Sequence, residues 1–320
     1  MLIVGSKNSL PSQVSFDEQQ LVSLLSNIFD GKKAKELYPL PYSSSNKTLI
    51  LTFDDNSNIV VKVSVRESRF DRISMEANLI KQLSKKTKLP LPQVLHTDFS
   101  RNDFQYPFVV YSYVKGINLV DAIKKIKNKK IIGTELANIA NQIHQIEYMY
   151  PQFSLAKSPI SKNWKSLIQE ACNLGLTALD SHGYKNIIAL EKYVHTKMKL
   201  IEEPRSYRLI HRDLQPQNIH WDLYLNRING VFDFEAAMSG DYLFEFAYLE
   251  TRLFKEHPEI RDSFYETYSR YNPLRSNYKE IVKFYEVVRD LIFFERDISY
   301  NELDRAKIAL ESLERIALED

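Results

Sequence analysis

The chain has 320 residues, enough for one large domain or two lobes with a sizeable core. Hydrophobic residues make up 44% and charged residues 26%, the balance of a globular protein, and the formal net charge is only +2. That charge argues against a nucleic-acid or anionic-membrane partner. No apolar run approaches the roughly 18–20 residues that a bilayer span needs, and the opening MLIVGSKNSLPSQ has no basic segment followed by a long apolar one. The lone cysteine, Cys172, lies in an apolar helical stretch and reads as buried filler, which excludes an intrachain disulfide and fits a cytoplasmic setting.

In chain order, Ser15 and Glu18 have the spacing of a capping box, and Leu21, Leu24, Leu25 and Ile28 continue as one helical face. KTLILTF (47–53) and IVVKVSV (59–65) flank the turn-rich DDNSN and predict a β-hairpin. Ile73, Ala77, Ile80 and Leu83 mark a helix over 70–86. LPLPQVLHTD breaks that helix and starts a short strand. YPFVVYSYV (106–114), rich in aromatic and β-branched residues, reads as a buried strand ended by Gly116.

This order implies an α+β lobe on an antiparallel sheet. Beyond Gly116 the periodicity is helical almost throughout, interrupted by a small hairpin around LYLNR, with NIHWD and INGVFDF as its arms. The segment 112–116 then acts as a hinge between residues 1–114 and 115–320.

The stretch HRDLQPQN (211–218) carries the chemistry. Phosphoryl transfer needs a cation on the phosphates, a carboxylate to hold that cation, oxygen ligands for Mg²⁺ and a carboxylate beside the acceptor hydroxyl. Asp213 and Asn218 stand five residues apart in one loop stiffened by Pro216. Asn218, with Asp233 of VFDFE, supplies hard oxygen donors suited to Mg²⁺. Lys62 sits in mid-strand among apolar neighbours. It is either an edge-strand lysine pointing into water or a phosphate-contacting lysine held by a helix carboxylate. Glu76 is the best placed carboxylate, with Glu67 and Asp71 as rivals.

The strings LIHRDLQPQNIHWD and INGVFDFEAAMSGDYLFEFAYL are similar to those of the aminoglycoside phosphotransferase and choline kinase family. The likeness extends to RISMEANLIKQL, YPFVVYSYVKGINL and IANQIHQI, and spans roughly residues 20–255. The family's acidic residue at the helix opening after Gly240-Asp241 is usually Asp, and here it is Glu245.

The resemblance implies a bilobal, protein-kinase-like fold. The smaller, sheet-based N-terminal lobe binds the nucleotide, and the mostly helical C-terminal lobe carries the catalytic loop and the acceptor site. It implies Asp213 as catalytic base, Asn218 and Asp233 as Mg²⁺ ligands, and Lys62 on the phosphates of ATP or GTP with Glu76 behind it. His211 holds the loop. Ser112 to Val114 offer backbone groups to the base edge, and Tyr111 lies behind the base. The loop that usually carries glycine is PYSSSNKT, where Ser43, Ser44 and Ser45 offer N–H and hydroxyl groups instead.

Three features set the chain apart from a protein kinase. Glu235 stands where Gly follows Asp-Phe, no Ala-Pro-Glu segment follows, and 95 residues separate Gly116 from His211. The reading is therefore a kinase of small hydroxyl compounds such as an aminoglycoside, an amino alcohol or a sugar. The alternatives are a Ser/Thr protein kinase and a non-catalytic nucleotide-binding module. Glu235, Asp241 and Glu245 are candidates to attract a cationic acceptor, or else they cap helices and pair with Arg252 and its neighbours. The aromatics after 242 either box an ammonium or pack a helical core.

Overall fold

Lys62 lies at the centre of the first sheet, and the rest of that sheet explains why. The computed structural model describes residues 16–40, 46–152, 155 and 163–319. β1 (Ala34–Pro39), β2 (Lys47–Phe53), β3 (Asn58–Val63), β4 (Val94–Asp98) and β5 (Phe108–Ser112) form an antiparallel sheet in the order β1-β2-β3-β5-β4. β3 is the middle strand, so Lys62 is not an edge lysine. Strand alternation sends Val61 and Val63 to one face, where they meet Leu21 and Leu25 of α1 (Glu18–Ile28) in an apolar cluster. Lys62 points to the other face, and the register pairs it with Val109 and Val60 with Tyr111.

Asp17, not Ser15, caps α1, accepting hydrogen bonds from the N–H groups of Gln19 and Gln20 at 2.9 and 3.0 Å. Ser15 lies outside the described residues. α2 (Phe70–Lys86) follows a 3₁₀ turn at Glu67–Arg69 and brings Glu76 toward the interior, while Glu67 and Asp71 stay exposed.

The chain forms two compact units. One comprises residues up to Ala122 together with Gln217–Glu235, and the other comprises Ile123–Pro216 together with Ala236 onward. The single boundary expected at 114/115 is thus replaced by three crossings. The cause is local: β9 (Ile219–Asp222), in the hairpin with β10 (Arg227–Val231), pairs with the short β6 (Ile117–Asn118).

In the second unit, α4 (Lys130–His144) packs on α8 (Pro258–Tyr271). α9 (Tyr278–Ser299) packs against α5 (Trp164–Ser181), α7 (Leu243–Leu249) and α10 (Leu303–Glu319). A small sheet of β7 (Glu147–Tyr148), β8 (Tyr207–Ile210) and β11 (Met238–Gly240) completes this unit. The remaining helices are α3 (Leu119–Lys125) and α6 (Ile187–Lys197). Trp164, Trp221 and Cys172 are fully buried, and burial pushes the Cys172 thiol up to about 12. Among the described residues no helix is long and apolar enough to cross a membrane.

The α4–α8 crossing is tight enough to test. A Cβ on Gly133 would lie 2.2 Å from the Ile260 carbonyl oxygen, a backbone atom that cannot swing away. Alanine favours an isolated helix over glycine by about 1 kcal/mol, and overpacking costs about 1–3 kcal/mol. Gly133→Ala is therefore expected to lower the urea midpoint of unfolding, and an unchanged or raised midpoint contradicts the packing.

Candidate active site

The first unit contains a cluster built around one buried ammonium. Lys62 Nζ lies 2.7 Å from Glu76 Oε2, 2.9 Å from Asp233 Oδ1 and 4.0 Å from Glu235 Oε2. Burial alone pushes the ammonium's pKa down, but the charges of Asp233, Glu235 and Glu76 outweigh it and hold Lys62 well above the ordinary lysine value. Burial pushes Glu76 up to about 7, with the Lys62 charge opposing and the two neighbouring carboxylates reinforcing it. Glu76 also accepts a hydrogen bond from the Phe234 backbone N–H at 3.0 Å through its other oxygen. One carboxylate therefore fastens the lysine strand, α2 and the Asp-Phe segment to each other.

Asp233 adopts φ +66°, the left-handed region that Asp tolerates better than most residues. Asn218 occupies the end of a 3₁₀ turn, and its carbonyl accepts from the Phe232 N–H at 2.9 Å. Glu235 is 4% exposed and lies within this cluster. It accepts from Asn46 Nδ2 at 2.8 Å and has the Arg69 guanidinium 3.9 Å away. Tyr111 is buried on the same sheet face, and its hydroxyl has no hydrogen-bond partner among the described residues. A polar ligand atom fits such a hydroxyl. The Ser112 N–H donates to the Gln93 carbonyl at 2.8 Å, and the Ser112 hydroxyl accepts from the Gln93 N–H at 2.8 Å. The Val114 carbonyl takes His220 Nδ1 at 3.2 Å. Ser43, Ser44 and Ser45 lie outside the described residues.

The second unit contains residues 211–216 of the candidate catalytic loop, held by a different carboxylate. Arg212 has φ +67°, a costly conformation for a long side chain. Glu245, fully buried, accepts from the His211 N–H at 2.6 Å and from the Arg212 N–H at 3.0 Å, fixing both amides. Tyr248, one helical turn further, accepts from Arg212 Nε at 3.1 Å. His211 is buried, and its Nδ1 accepts from the Asp213 N–H at 3.2 Å, while the Asp213 carbonyl accepts from the Gln215 N–H at 2.8 Å. Asp213 is thereby held on a tight turn at the start of the loop, with its side chain part-exposed. Behind Glu245 stands His144, whose Nε2 is 3.9 Å from Glu245 and whose Nδ1 lies 2.7 Å from the Tyr268 hydroxyl.

Of the two alternatives for Glu235, Asp241 and Glu245, the structural one describes the contacts they make. Glu235 belongs to the Lys62 cluster and Glu245 holds the loop amides. Asp241 is 1% exposed and accepts from the Leu243 N–H at the start of α7 at 3.1 Å. Its second oxygen accepts from Arg275 at 3.0 Å and from the Tyr285 hydroxyl at 3.1 Å. Tyr285 in turn accepts from Trp164 Nε1 at 2.7 Å. A buried carboxylate with three donors already on it is a structural group and not part of an acceptor surface. The sequence reading missed Asn46 and Arg69 as partners of Glu235, since nothing local in either stretch signals a contact made across the fold.

Glu245→Ala leaves two amides without their acceptor, and each buried unsatisfied group costs about 1–3 kcal/mol. The variant is expected to lose stability of that order in chemical denaturation. A loss no larger than that of a surface Glu→Ala substitution contradicts the role given to Glu245.

The model of the phosphotransferase enzyme family, APH, matches residues 38–281. No curated protein matches the sequence. Among solved structures, the chain is similar to the GDP complex of aminoglycoside 2'-phosphotransferase-IIIa, with a TM-score of 0.72 at 18% identity, covering 95% of this chain and 99% of that one. It is similar also to aminoglycoside phosphotransferase APH(4)-Ia, with a TM-score of 0.72 at 15% identity over 93% and 98% of the two chains. The gentamicin complex of APH(2")-IIa matches with a TM-score of 0.69 at 18% identity over 94% and 97%. At these identities the likeness shows the fold, whereas the family model covers well over half of the 320 residues. The chain belongs to the phosphotransferase enzyme family.

Proposed function

We propose that this small-molecule kinase moves the γ-phosphate of ATP or GTP to the hydroxyl of a small acceptor, with Asp213 as the base. The observation that carries the reading is the Lys62–Glu76–Asp233 arrangement: a buried ammonium kept charged by carboxylates on two other segments. Such a cation, pre-placed and desolvated, suits the phosphates of a nucleotide. The partners are then a nucleoside triphosphate and a small alcohol, and the structural neighbours bound to GDP or gentamicin are consistent with that pairing. A reducing, cytoplasmic setting fits the buried thiol of Cys172.

The donor set also fits Mg²⁺. Asp233, part-exposed beside the ammonium, and the part-exposed Asn218 offer hard oxygen donors and would hold the cation by oxygen. When bound, the ion supplies charge neutralisation on the phosphate oxygens. In the transfer, the acceptor oxygen bonds to the γ-phosphorus, and the bond from that phosphorus to the β,γ-bridging oxygen breaks. Asp213 takes the hydroxyl proton, and a nucleoside diphosphate leaves with the bond's electrons.

Asp213→Asn keeps the size of the side chain and removes the base. Transfer is expected to fall by about 10²–10⁴-fold, the range of general-base catalysis, while nucleotide affinity measured by calorimetry stays near the wild-type value. Undiminished turnover sinks the assignment of Asp213. Asp233→Ala is expected to abolish the Mg²⁺ dependence of nucleotide binding, and a binding curve that still responds to Mg²⁺ removes Asp233 from the ligand set.

A further inference from the structure

The second unit concentrates guanidinium groups next to the catalytic loop. Arg289, Phe293 and Arg296 lie at i, i+4 and i+7 on α9 and share one helical face. Beyond α7 the chain makes one π-helical turn, Glu250–Phe254, which carries Arg252. The Phe293 ring centroid has the guanidinium of Arg252 at 6.0 Å, that of Arg289 at 5.6 Å and that of Arg296 at 4.3 Å. Tyr248 packs edge-on against Phe293, with centroids 5.8 Å apart, and its hydroxyl holds Arg212, the residue before Asp213. Four arginines therefore surround two rings beside the base.

Packing accounts for part of this arrangement. Arginines stack well on aromatic faces. Arg289 is paired through Nε with Asp290 at 3.0 Å, and Arg296 through Nε with Asp297 at 2.6 Å. Arg252 is different: it is exposed, and no hydrogen bond or ion pair to another described residue holds its guanidinium. Desolvation of the guanidinium by its neighbours and the like charges of Arg289 and Arg296 push its pKa down, and the Asp213 carboxylate opposes them. Arg289 is 7% exposed, yet its Nη1 is buried without a hydrogen-bond partner among the described residues. Leaving such an N–H unpaired is costly, and gathering like charges around it adds to that cost. Both costs fall when an oxyanion is bound, because the guanidinium fork matches carboxylate and phosphate oxygens.

We propose that the acceptor carries an oxyanion, a carboxylate or a phosphate, in addition to its hydroxyl, and that Arg252 receives it with Arg289 beside it. This rests on the kinase reading above and narrows its substrate class away from cationic acceptors. Arg252 and Arg289 are guanidinium donors beside Asp213 that structural hydrogen bonds do not fully occupy. An anion there pairs with them and orients the hydroxyl toward Asp213, whereas an ammonium group in the same place is repelled by them.

The test measures nucleotide consumption and product formation by the full chain, with ATP and with GTP, against four classes of alcohol. These are hydroxycarboxylates, with glycerate as first probe, sugar and polyol phosphates, neutral polyols, and amino alcohols with aminoglycosides. Turnover is expected with one of the two anionic classes, and which of them responds tells carboxylate from phosphate. With that acceptor, Arg252→Gln is expected to raise KM about tenfold or more, the loss of one charge-assisted hydrogen bond. The kcat should change far less, and Arg252→Lys should recover part of the affinity. Nucleotide affinity in Arg252→Gln should match wild type, which separates this site from the Lys62 cluster.

Preferential phosphorylation of cationic or neutral alcohols overturns the oxyanion and leaves the kinase reading standing. So does an unchanged KM in Arg252→Gln, or a fall confined to kcat, which would make Arg252 a positioning partner of Asp213. A wild-type chain that consumes no nucleotide with any class removes the kinase reading, and the oxyanion site with it.

Discussion

A lysine in the middle strand of a covered sheet stays charged only where carboxylates meet it. Isolated burial of an ammonium costs several kcal/mol, so Lys62 constrains everything near it. α2 must deliver Glu76 to within hydrogen-bond reach, and the strand β10 must end so that Asp233 turns back toward the same ammonium. Glu76 then spends its second oxygen on the Phe234 N–H, tying the turn itself to the helix. The left-handed Asp233 is the local cost of this convergence. Glu235 completes the cluster, with Asn46 and the Arg69 guanidinium as its own partners.

The catalytic loop obeys the same logic with the roles reversed. There the strained residue is Arg212, and the surplus groups are two backbone amides. A single carboxylate on α7, Glu245, answers both. Glu in place of the family's usual Asp adds one methylene of reach and keeps both oxygens on the loop. His144 and Tyr268 then back the carboxylate from α4 and α8, which links the loop's geometry to the close helix crossing at Gly133.

Much of this was legible in the sequence, because the informative features are local or periodic. The five-residue spacing of Asp213 and Asn218, the mid-strand Lys62, and Glu76 among core positions of α2 each carry their own signal. The hairpin strands and the long helices follow from residue periods. The strands β1, β8 and β11 did not stand out. β1 is a mostly exposed edge without alternation, and β8 and β11 have four and three residues. The cap of α1 moved from Ser15 to Asp17 because both are good capping residues, and only the path of the chain chooses between them. The acidic residues were harder to read. Their number near the loop was visible, but their partners, Asn46 with Glu235, Arg275 with Asp241 and the loop amides with Glu245, are far apart in sequence.

That last difference bears on how an acceptor is chosen. A carboxylate has two oxygens and several lone pairs, so it is the most economical group for satisfying several buried donors at once. In this fold Glu235, Asp241 and Glu245 are used that way, and each is committed to donors of the protein. A residue that holds the backbone cannot also be varied to suit a substrate. In the proposed acceptor site, selection falls to side chains on which no backbone conformation depends, the guanidinium groups on the π turn and on one face of α9. Acidic composition near a kinase loop is therefore a poor guide to the charge of the acceptor. The guide is the set of groups that remain after the structural hydrogen bonds are assigned, and at the proposed acceptor site these are the guanidinium groups of Arg252 and Arg289.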